Sequence, residues 1–237
     1  MLRRLIVFAA TGAFVCLAAA VPVQADGITQ INVPNGWYTS HTTLIDISGL
    51  TDGTDYTSIA GGGLTVDLIN RMKRLTIPTS WAGWGSPPAT EKNTAACPGL
   101  GINCPPVLWS KGANDVIMIL SSPEKIFGFE AQPNNPQVES MTADFFDAGG
   151  NLVGSITLTP SGYFGAKLFA ASSNTPFKSV ILTDNGQGGT CPNGSVCDFA
   201  IANVRFSPNP VPEPASVLLL GTSLAALGFR KLRWTKT

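Results

Sequence analysis

Residues 141–159 read MTADFFDAGGNLVGSITLT, and this stretch gives the clearest indication of the fold. Two β-prone arms, Met141–Phe146 and Leu152–Thr159, flank five turn residues whose glycines permit positive φ. The second arm alternates, and its apolar residues are predicted to share one face: Leu152, Ile156 and Leu158. The stretch therefore predicts a β-hairpin with one buried face.

The sequence on both sides of this hairpin has the same character, with short β-prone runs separated by turns. No stretch between Asp26 and Pro210 has a sustained apolar period of 3.6 residues. Further predicted strands are Thr42–Ile47, Leu64–Ile69, Arg74–Pro78, Val116–Leu120, Ile126–Ala131, Tyr163–Ala170, Lys178–Thr183 and Asp198–Phe206. Many short strands at a spacing of roughly ten residues are typical of a β-sandwich or jelly roll. We therefore expect an all-β fold, with a single β-sandwich or jelly roll over residues 26–206.

The N-terminus has the layout of a secretory signal peptide. Arg3 and Arg4 precede the apolar run Leu5–Ala20, and Val23-Gln24-Ala25 supplies small residues before Asp26. This order predicts cleavage after Ala25, so residues 1–25 are expected to direct the chain to the Sec translocon. A first transmembrane helix is the alternative.

The C-terminus combines a stiff linker, a short apolar segment and a basic end. Residues 207–214 are rich in proline, and the 15 residues Ala215–Phe229 would span about 22 Å as a helix. A bilayer core of about 30 Å makes this a short span, and Arg230, Lys231 and Arg233 would hold its end in the cytoplasm. Residues 215–237 are therefore predicted to be a transmembrane helix with a basic end.

The position of Val211-Pro212-Glu213-Pro214 directly before that segment resembles the PEP-CTERM sorting signal of Gram-negative bacteria. The same tail is also catalogued as an ice-binding-protein C-terminal motif. The resemblance implies that Pro212, Glu213 and Pro214 are recognised by a membrane-embedded exosortase, a transpeptidase or protease. It also implies transient anchoring in the inner membrane, then delivery to the cell surface or extracellular matrix of a polysaccharide-producing, biofilm-forming bacterium. An ordinary C-terminal anchor behind a proline-rich linker is the alternative.

The body resembles the jelly-roll ectodomains that are often attached to such tails. The resemblance lies in Phe127–Glu130, in Phe145–Gly149 and in the closing run Phe199–Phe206. Such closing strands often carry an acidic residue where this chain has Ala202-Asn203. The resemblance therefore does not imply a calcium site at that position.

The charge of the body excludes one class of partner. The whole chain is neutral, but two basic residues lie in residues 1–25, and four basic residues and one acidic residue lie from Val211 onward. The body therefore keeps 9 basic and 14 acidic residues, a net charge of −5. Nucleic-acid phosphates require clustered Lys and Arg, so no nucleic-acid partner is predicted.

Four cysteines lie in the body: Cys97, Cys104, Cys191 and Cys197. An even number in an exported chain indicates two disulfides, and three pairings are open. We favour Cys97–Cys104 and Cys191–Cys197 because each pair encloses a turn-rich loop that can bring its ends together. A four-cysteine zinc site is the alternative, although neither pair has the tight spacing typical of zinc knuckles.

Residues for catalysis are few. His41 is the one histidine, and the chain lacks a Gly-x-Ser-x-Gly sequence, so a Ser-His-Asp hydrolase is not predicted. Paired carboxylates could support a polysaccharide-degrading enzyme, and the candidates are Glu124, Glu130, Glu139, Asp144 and Asp147. No catalytic residue is assigned, and we expect a protein that is not an enzyme.

Two acidic turns could supply oxygen ligands to calcium. They are Asp52-Gly53-Thr54-Asp55 and Asp184-Asn185-Gly186. Calcium takes about six to eight oxygens, and neither turn matches an EF-hand loop. Both are interpreted as turns in which Asp, Asn and Gly serve backbone geometry. No metal or cofactor is assigned, and calcium stays an alternative.

Trp81 and Trp84 lie in one loop rich in glycine and proline. If both are exposed on one concave face, they could stack on sugars, and the body would be a carbohydrate-binding module that holds extracellular polysaccharide. If they are buried, they anchor the loop. The leading hypothesis is an exported, non-enzymatic surface or matrix protein. The two alternatives are the carbohydrate-binding module and the polysaccharide-degrading enzyme.

Overall fold

A computed structural model describes residues 27–91, 104–162, 164–186 and 197–207 of the 237-residue chain. The described residues form ten strands and one short helix. The strands are β1 (Thr29–Ile31), β2 (Thr43–Leu44), β3 (Asp55–Gly61), β4 (Leu64–Leu75), β5 (Val107–Trp109), β6 (Asp115–Pro133), β7 (Met141–Phe146), β8 (Leu152–Leu158), β9 (Lys167–Asp184) and β10 (Phe199–Phe206), and α1 spans Gly36–His41. The prediction of an all-β fold is confirmed.

Strands β6 and β9 are the centre of the fold and belong to both of its layers. The first half of β6 pairs with the second half of β9, and the second half of β6 pairs with the first half of β9, always antiparallel. In one layer these strands continue to β4 and β3 on one side and to β7 and β8 on the other. In the other layer they continue to β10 and β2 on one side and to β1 on the other. Strand β5 pairs with both β4 and β10.

The side chains between the two layers form one large apolar core. Met118 and Val180 enter it from one layer, and Phe127, Phe129 and Phe169 enter it from the other. The rings of Phe129 and Phe169 are stacked with their centroids 6.0 Å apart. Because both layers contribute to this core, the arrangement is the predicted β-sandwich.

Strands β6 and β9 are longer than the short strands predicted for this part of the chain, because they span 19 and 18 residues. Each of these two strands joins two predicted strands. The sequence predicted a break between them because each strand contains a proline. The register between β6 and β9 shifts between Ile119 and Glu124 and again between Glu124 and Ile126. Pro123 lies in that irregular stretch, where a missing N–H is tolerated. The predicted strands Leu64–Ile69 and Arg74–Pro78 are likewise joined in β4, which ends at Leu75.

The predicted hairpin forms, but one of its side chains faces the other way. Phe145 pairs with Gly154 and Phe146 pairs with Leu152, so Val153 is the extra residue of a β-bulge. The bulge reverses the alternation: Val153 is 7% exposed and Leu152 is 53% exposed. The prediction that Leu152 shares the buried face of Ile156 is therefore wrong.

The helix α1 was not predicted, because its six residues are too few to show the apolar periodicity of a helix. It begins after Asn35, whose side-chain oxygen accepts a hydrogen bond from the backbone N–H of Tyr38 at 2.9 Å. This is the usual role of an N-cap residue. No helix among the described residues is long and apolar enough to cross a membrane. Both the predicted signal peptide and the predicted C-terminal span lie outside those residues.

Candidate functional site

The loop tryptophans predicted to bind sugars are core residues. Trp84 is fully buried and Trp81 is 6% exposed, and both pack with Ile77 and Ala200 in a second apolar cluster. The indole N–H of Trp84 donates to Glu130 Oε2 at 2.7 Å. Neither ring offers a face to a ligand, so the hypothesis that Trp81 and Trp84 stack on sugars fails on their burial.

Glu130 holds that loop against the sheet. It is fully buried on β6, and its Oε1 accepts the backbone N–H of Glu91 at 2.6 Å. Its Oε2 accepts the side-chain amide of Asn203 at 3.0 Å as well as the Trp84 indole. Burial outweighs these hydrogen bonds and raises the pKa of Glu130 to about 7. Because no solvent reaches this carboxyl, it cannot contact a substrate in this structure.

An ion pair next to Glu130 connects the same loop to α1 and β10. Arg205 donates from Nε and Nη2 to the two carboxylate oxygens of Glu91, the second at 2.9 Å. Its Nη1 donates to the carbonyl oxygen of Thr42 at 3.3 Å. The hydroxyl of Tyr38 is buried nearby, and burial raises its pKa. This geometry is that of a structural clamp.

Glu124 is a second buried carboxylate, at the irregular point of β6. It is 1% exposed, and its oxygens accept from the hydroxyls of Ser122 at 2.8 Å and Ser207 at 3.2 Å. Burial raises its pKa. The Ser207 hydroxyl also accepts from the backbone N–H groups of Lys125 and Ile126, both at 3.1 Å. Glu124 therefore fixes the end of β10 to β6.

Two of the candidate acids, Glu139 and Asp184, meet in the part of the chain that the structure describes. Oxygen atoms of both lie within 4.8 Å of each other and of the sulfur of Cys197. Each acid is 1% exposed. Both oxygens of Glu139 and Oδ2 of Asp184 have no hydrogen-bond partner. Burial, together with the neighbouring carboxyl, raises the pKa of Glu139 to about 7, and burial also raises that of Asp184.

The remaining candidate acids are ordinary turn or surface residues. Asp52 forms a salt bridge with Arg74 at 3.1 Å, and Asp55 forms one with Lys111, whose hydrogen bond lowers the pKa of Asp55. The turn Asp52–Asp55 therefore has cationic partners. In the β7–β8 turn, Asp147 Oδ1 accepts the backbone N–H groups of Gly149 and Asn151, both at 2.8 Å. Asp144 is bonded by Ser155 across the hairpin.

An exposed tryptophan missed as a site residue lies beside a surface groove. Trp37 of α1 is 49% exposed, and the ring of His41 stacks on it with the centroids 4.8 Å apart. The groove has a volume of about 300 Å³. It is lined by Gly27, Thr29, Trp37, Lys125, Ile126, Ser172, Ser173 and Asn174. The sequence shows Trp37 but not that β6 and β9 bring polar residues to it.

The structure describes only two of the four cysteines predicted to form disulfides. These two, Cys104 and Cys197, each have their sulfur in a disulfide bond. Cys97 and Cys191 lie outside the described residues, so the pairing stays a prediction. The sorting residues Pro212, Glu213 and Pro214 and the basic residues Arg230, Lys231 and Arg233 also lie outside them.

Comparison with protein families finds a PEP-CTERM protein-sorting motif at residues 210–233. The motif covers the Pro-Glu-Pro sequence, the apolar segment and most of the basic end. The resemblance drawn from the sequence is therefore confirmed for the tail. No curated protein matches the chain.

Solved structures similar to this chain include two carbohydrate-binding modules. A variant of a family 29 module has 12% identity over 70% of this chain and 85% of that chain, with a TM-score of 0.31. A family 61 module in complex with β-1,4-galactotriose has 13% identity over 60% of this chain and 80% of that chain, with a TM-score of 0.28. The enzymatically active domain of tailspike protein 4 of bacteriophage CBA120 has 16% identity over 71% of this chain and 19% of that chain, with a TM-score of 0.27. At such scores these similarities carry no conclusion about function.

Proposed function

We propose that this chain is an exported, non-enzymatic protein of the bacterial cell surface or extracellular matrix, delivered by its C-terminal sorting signal. The observation that carries the proposal is the PEP-CTERM protein-sorting motif at residues 210–233. Pro212, Glu213 and Pro214 are the proposed recognition residues of an exosortase-type membrane enzyme. Residues 1–25 are the proposed signal peptide for the Sec translocon, and residues 215–237 are the proposed membrane segment with its basic end.

The described residues support a binding or structural role for the body. Glu124, Glu130 and Glu139 are at most 1% exposed, so none of them can act on a polysaccharide in solvent. Glycoside hydrolysis needs two carboxyl groups on either side of an accessible bond. None of the eight described residues that line the groove beside Trp37 is acidic. We therefore propose that the body binds or builds matrix and does not degrade it.

The test of sorting is the intact mass of the protein recovered from membrane and medium of its native host, without reductant. The proposal predicts a species that begins at Asp26, ends near Pro212–Pro214 and has all four body cysteines in disulfide bonds. A triple variant, Pro212→Ala, Glu213→Ala and Pro214→Ala, is expected to accumulate in the membrane with Thr237 still attached. Pro208→Ala is the matched control, because it changes the same linker outside the motif, and it should be processed normally.

The sorting proposal fails if wild-type protein is found only in the membrane and retains Thr237. The tail would then be a permanent anchor. It also fails if the triple variant is processed at the same rate and position as the Pro208→Ala control.

Sugar binding is a second candidate function, favoured by the groove beside Trp37. An exposed indole supplies a flat apolar surface, and the hydroxyl, amide and ammonium groups of Ser172, Asn174 and Lys125 supply hydrogen-bonding groups around it. His41 supports the indole from one side. A flat aromatic ring with polar neighbours suits a sugar, which has an apolar face and a polar rim. We propose the exopolysaccharide of the native host as the ligand.

The test of sugar binding is retardation of the folded protein in native gels that contain the host exopolysaccharide. Trp37→Ala should abolish retardation and leave the melting temperature within about 2 °C, because the side chain is half exposed. Phe164→Ala is the control, because Phe164 is an aromatic residue of similar exposure, 43%, outside the groove lining. Equal retardation of wild type and Trp37→Ala would exclude this groove as the binding site.

A further inference from the structure

The pair Glu139 and Asp184 is the least compensated polar group among the described residues. Three of its four carboxylate oxygens have no hydrogen-bond partner, and both residues are 1% exposed. The fourth oxygen, Asp184 Oδ1, accepts the backbone N–H of Gly186 at 2.9 Å. The described salt bridges use Asp52, Asp55 and Glu91, so neither member of the pair has a described cationic partner.

Two facing carboxylates in a buried position require a neutralising partner. An unpaired buried charge is costly, and a second like charge within a few ångströms adds to that cost. Asp198 lies close enough to disfavour ionisation of both acids further. Its own Oδ2 accepts from the Trp109 indole at 2.6 Å and from the Asn134 amide at 3.3 Å. The three acids therefore carry a net negative charge at any pH at which they are ionised.

Backbone hydrogen bonds fix the chain on both sides of the pair. Glu139 N–H donates to the Pro160 carbonyl at 3.0 Å, and Asp184 N–H donates to the Asn114 carbonyl at 2.8 Å. The residues that follow the two acids are hydrogen-bonded to one another. Asn185 N–H donates to the Ser140 carbonyl at 2.8 Å, and Ser140 N–H donates to the Gly186 carbonyl at 3.0 Å. The backbone therefore holds the two residues next to each other.

We propose that Glu139 and Asp184 bind a divalent calcium ion. Carboxylate oxygens are hard ligands that suit Ca²⁺ and Mg²⁺, and the nearby sulfur of Cys197 is in a disulfide bond, so it is not a thiolate for zinc. Calcium is favoured over magnesium because it accepts irregular oxygen sets, whereas Mg²⁺ demands a near-ideal octahedron and keeps several of its waters. The turn Asp184-Asn185-Gly186 was one of the two acidic turns noted in the sequence. The second acid at this turn is Glu139, which comes from a distant part of the sequence.

The inference is independent of the sorting signal, because every residue that carries it lies in the body. The full chain, purified in detergent with its disulfides intact and treated with EDTA, is melted in EDTA, in CaCl₂ and in MgCl₂. At a free calcium concentration about 100 times the dissociation constant, mass action is expected to raise the melting temperature by about 5–10 °C. Isothermal titration with CaCl₂ should give one site per chain, with weaker or no binding of MgCl₂.

Glu139→Gln and Asp184→Asn should each remove the calcium-dependent shift. In EDTA, Glu139→Gln should melt no lower than wild type, because it removes one of two facing acids. Glu124→Gln is the matched control, because Glu124 is equally buried on β6 but has hydroxyl partners for both oxygens. It should keep the full calcium shift.

Two results would overturn the inference. Wild-type protein that shows neither a melting shift nor a titration signal with calcium would mean that a proton neutralises the pair. A calcium shift that survives in both Glu139→Gln and Asp184→Asn would place the ion elsewhere. The wild-type titration decides the first point even if one variant fails to fold.

Discussion

Replacing Glu130 by glutamine should remove a large part of the pH dependence of stability. Burial raises the pKa of Glu130 to about 7 from an ordinary value of 4.5. The folded protein therefore keeps this proton in a pH range where the unfolded chain has released it. The stability that the protonated form contributes is fully present below about pH 4.5 and is lost as the pH rises through 7. A difference of about 2.5 pKa units corresponds to about 3 kcal/mol.

The measurement is the free energy of unfolding from urea titrations at several pH values, for wild type and for Glu130→Gln. The wild-type value minus the variant value should fall by about 3 kcal/mol between pH 4 and pH 8. Other buried acids, such as Glu124, are present in both proteins, and their contributions cancel in this difference. Asp144→Asn, an isosteric change at a partly exposed carboxylate of β7, should leave the wild-type curve nearly unchanged.

A flat difference between wild type and Glu130→Gln would refute the reasoning. It would mean that the three hydrogen bonds from Trp84, Glu91 and Asn203 keep Glu130 ionised throughout. The hydrogen bonds would then outweigh the loss of solvent, which is the opposite of the balance described above.

Two further variants test the packing of the sandwich by urea denaturation. In Gly128→Ala, the new Cβ would lie 2.3 Å from the Cβ of Ala170, so we expect a loss of about 1–3 kcal/mol. Gly49→Ala, with no atom within 4 Å, is the control and should lose far less. At the bulge of β8, Val153→Ala should cost about 1–2 kcal/mol, whereas Leu152→Ala should stay within about 0.5 kcal/mol. Equal losses at the two positions would mean that the bulge is absent in solution.

The parts of the fold that depend on nearby residues were predictable from the sequence. The hairpin of β7 and β8 is one example, because its five-residue turn is specified locally by Asp147 and the two glycines. The bulge at Val153 was not predictable, because Val153 and Leu152 are equally apolar and the choice between them depends on the core beneath. The continuity of β6 through Pro123 was hidden for a similar reason. A proline signals a break in sequence, and only the pairing with β9 shows where the strand tolerates it.

The candidate sites depend on contacts that are distant in sequence, and this explains why the predictions for them were weaker. Trp84 and Glu130 are 46 residues apart, and Glu130 and Asn203 are 73 residues apart. An aromatic residue in a loop rich in glycine and proline looks the same in sequence whether it is exposed or anchors the loop. The register of β6 and β10 brings Glu130 opposite Ala202, next to Asn203, and thereby places an acceptor under the Trp84 indole. The tail differs, because its signal is contained in consecutive residues.

The three buried glutamates of this body differ in how their charge is compensated, and that difference points to calcium at only one of them. Glu130 has three donors and Glu124 has two hydroxyl groups, so each is satisfied by the protein itself. Neither oxygen of Glu139 has a hydrogen-bond partner at normal geometry, although the Asn135 amide lies close enough to favour its ionised form. Glu139 is nevertheless as buried as the others and faces Asp184. A body with so few charged residues could have placed an apolar side chain there at no electrostatic cost. A buried acid pair without a cationic partner in the described protein is therefore best explained by a partner from outside the chain.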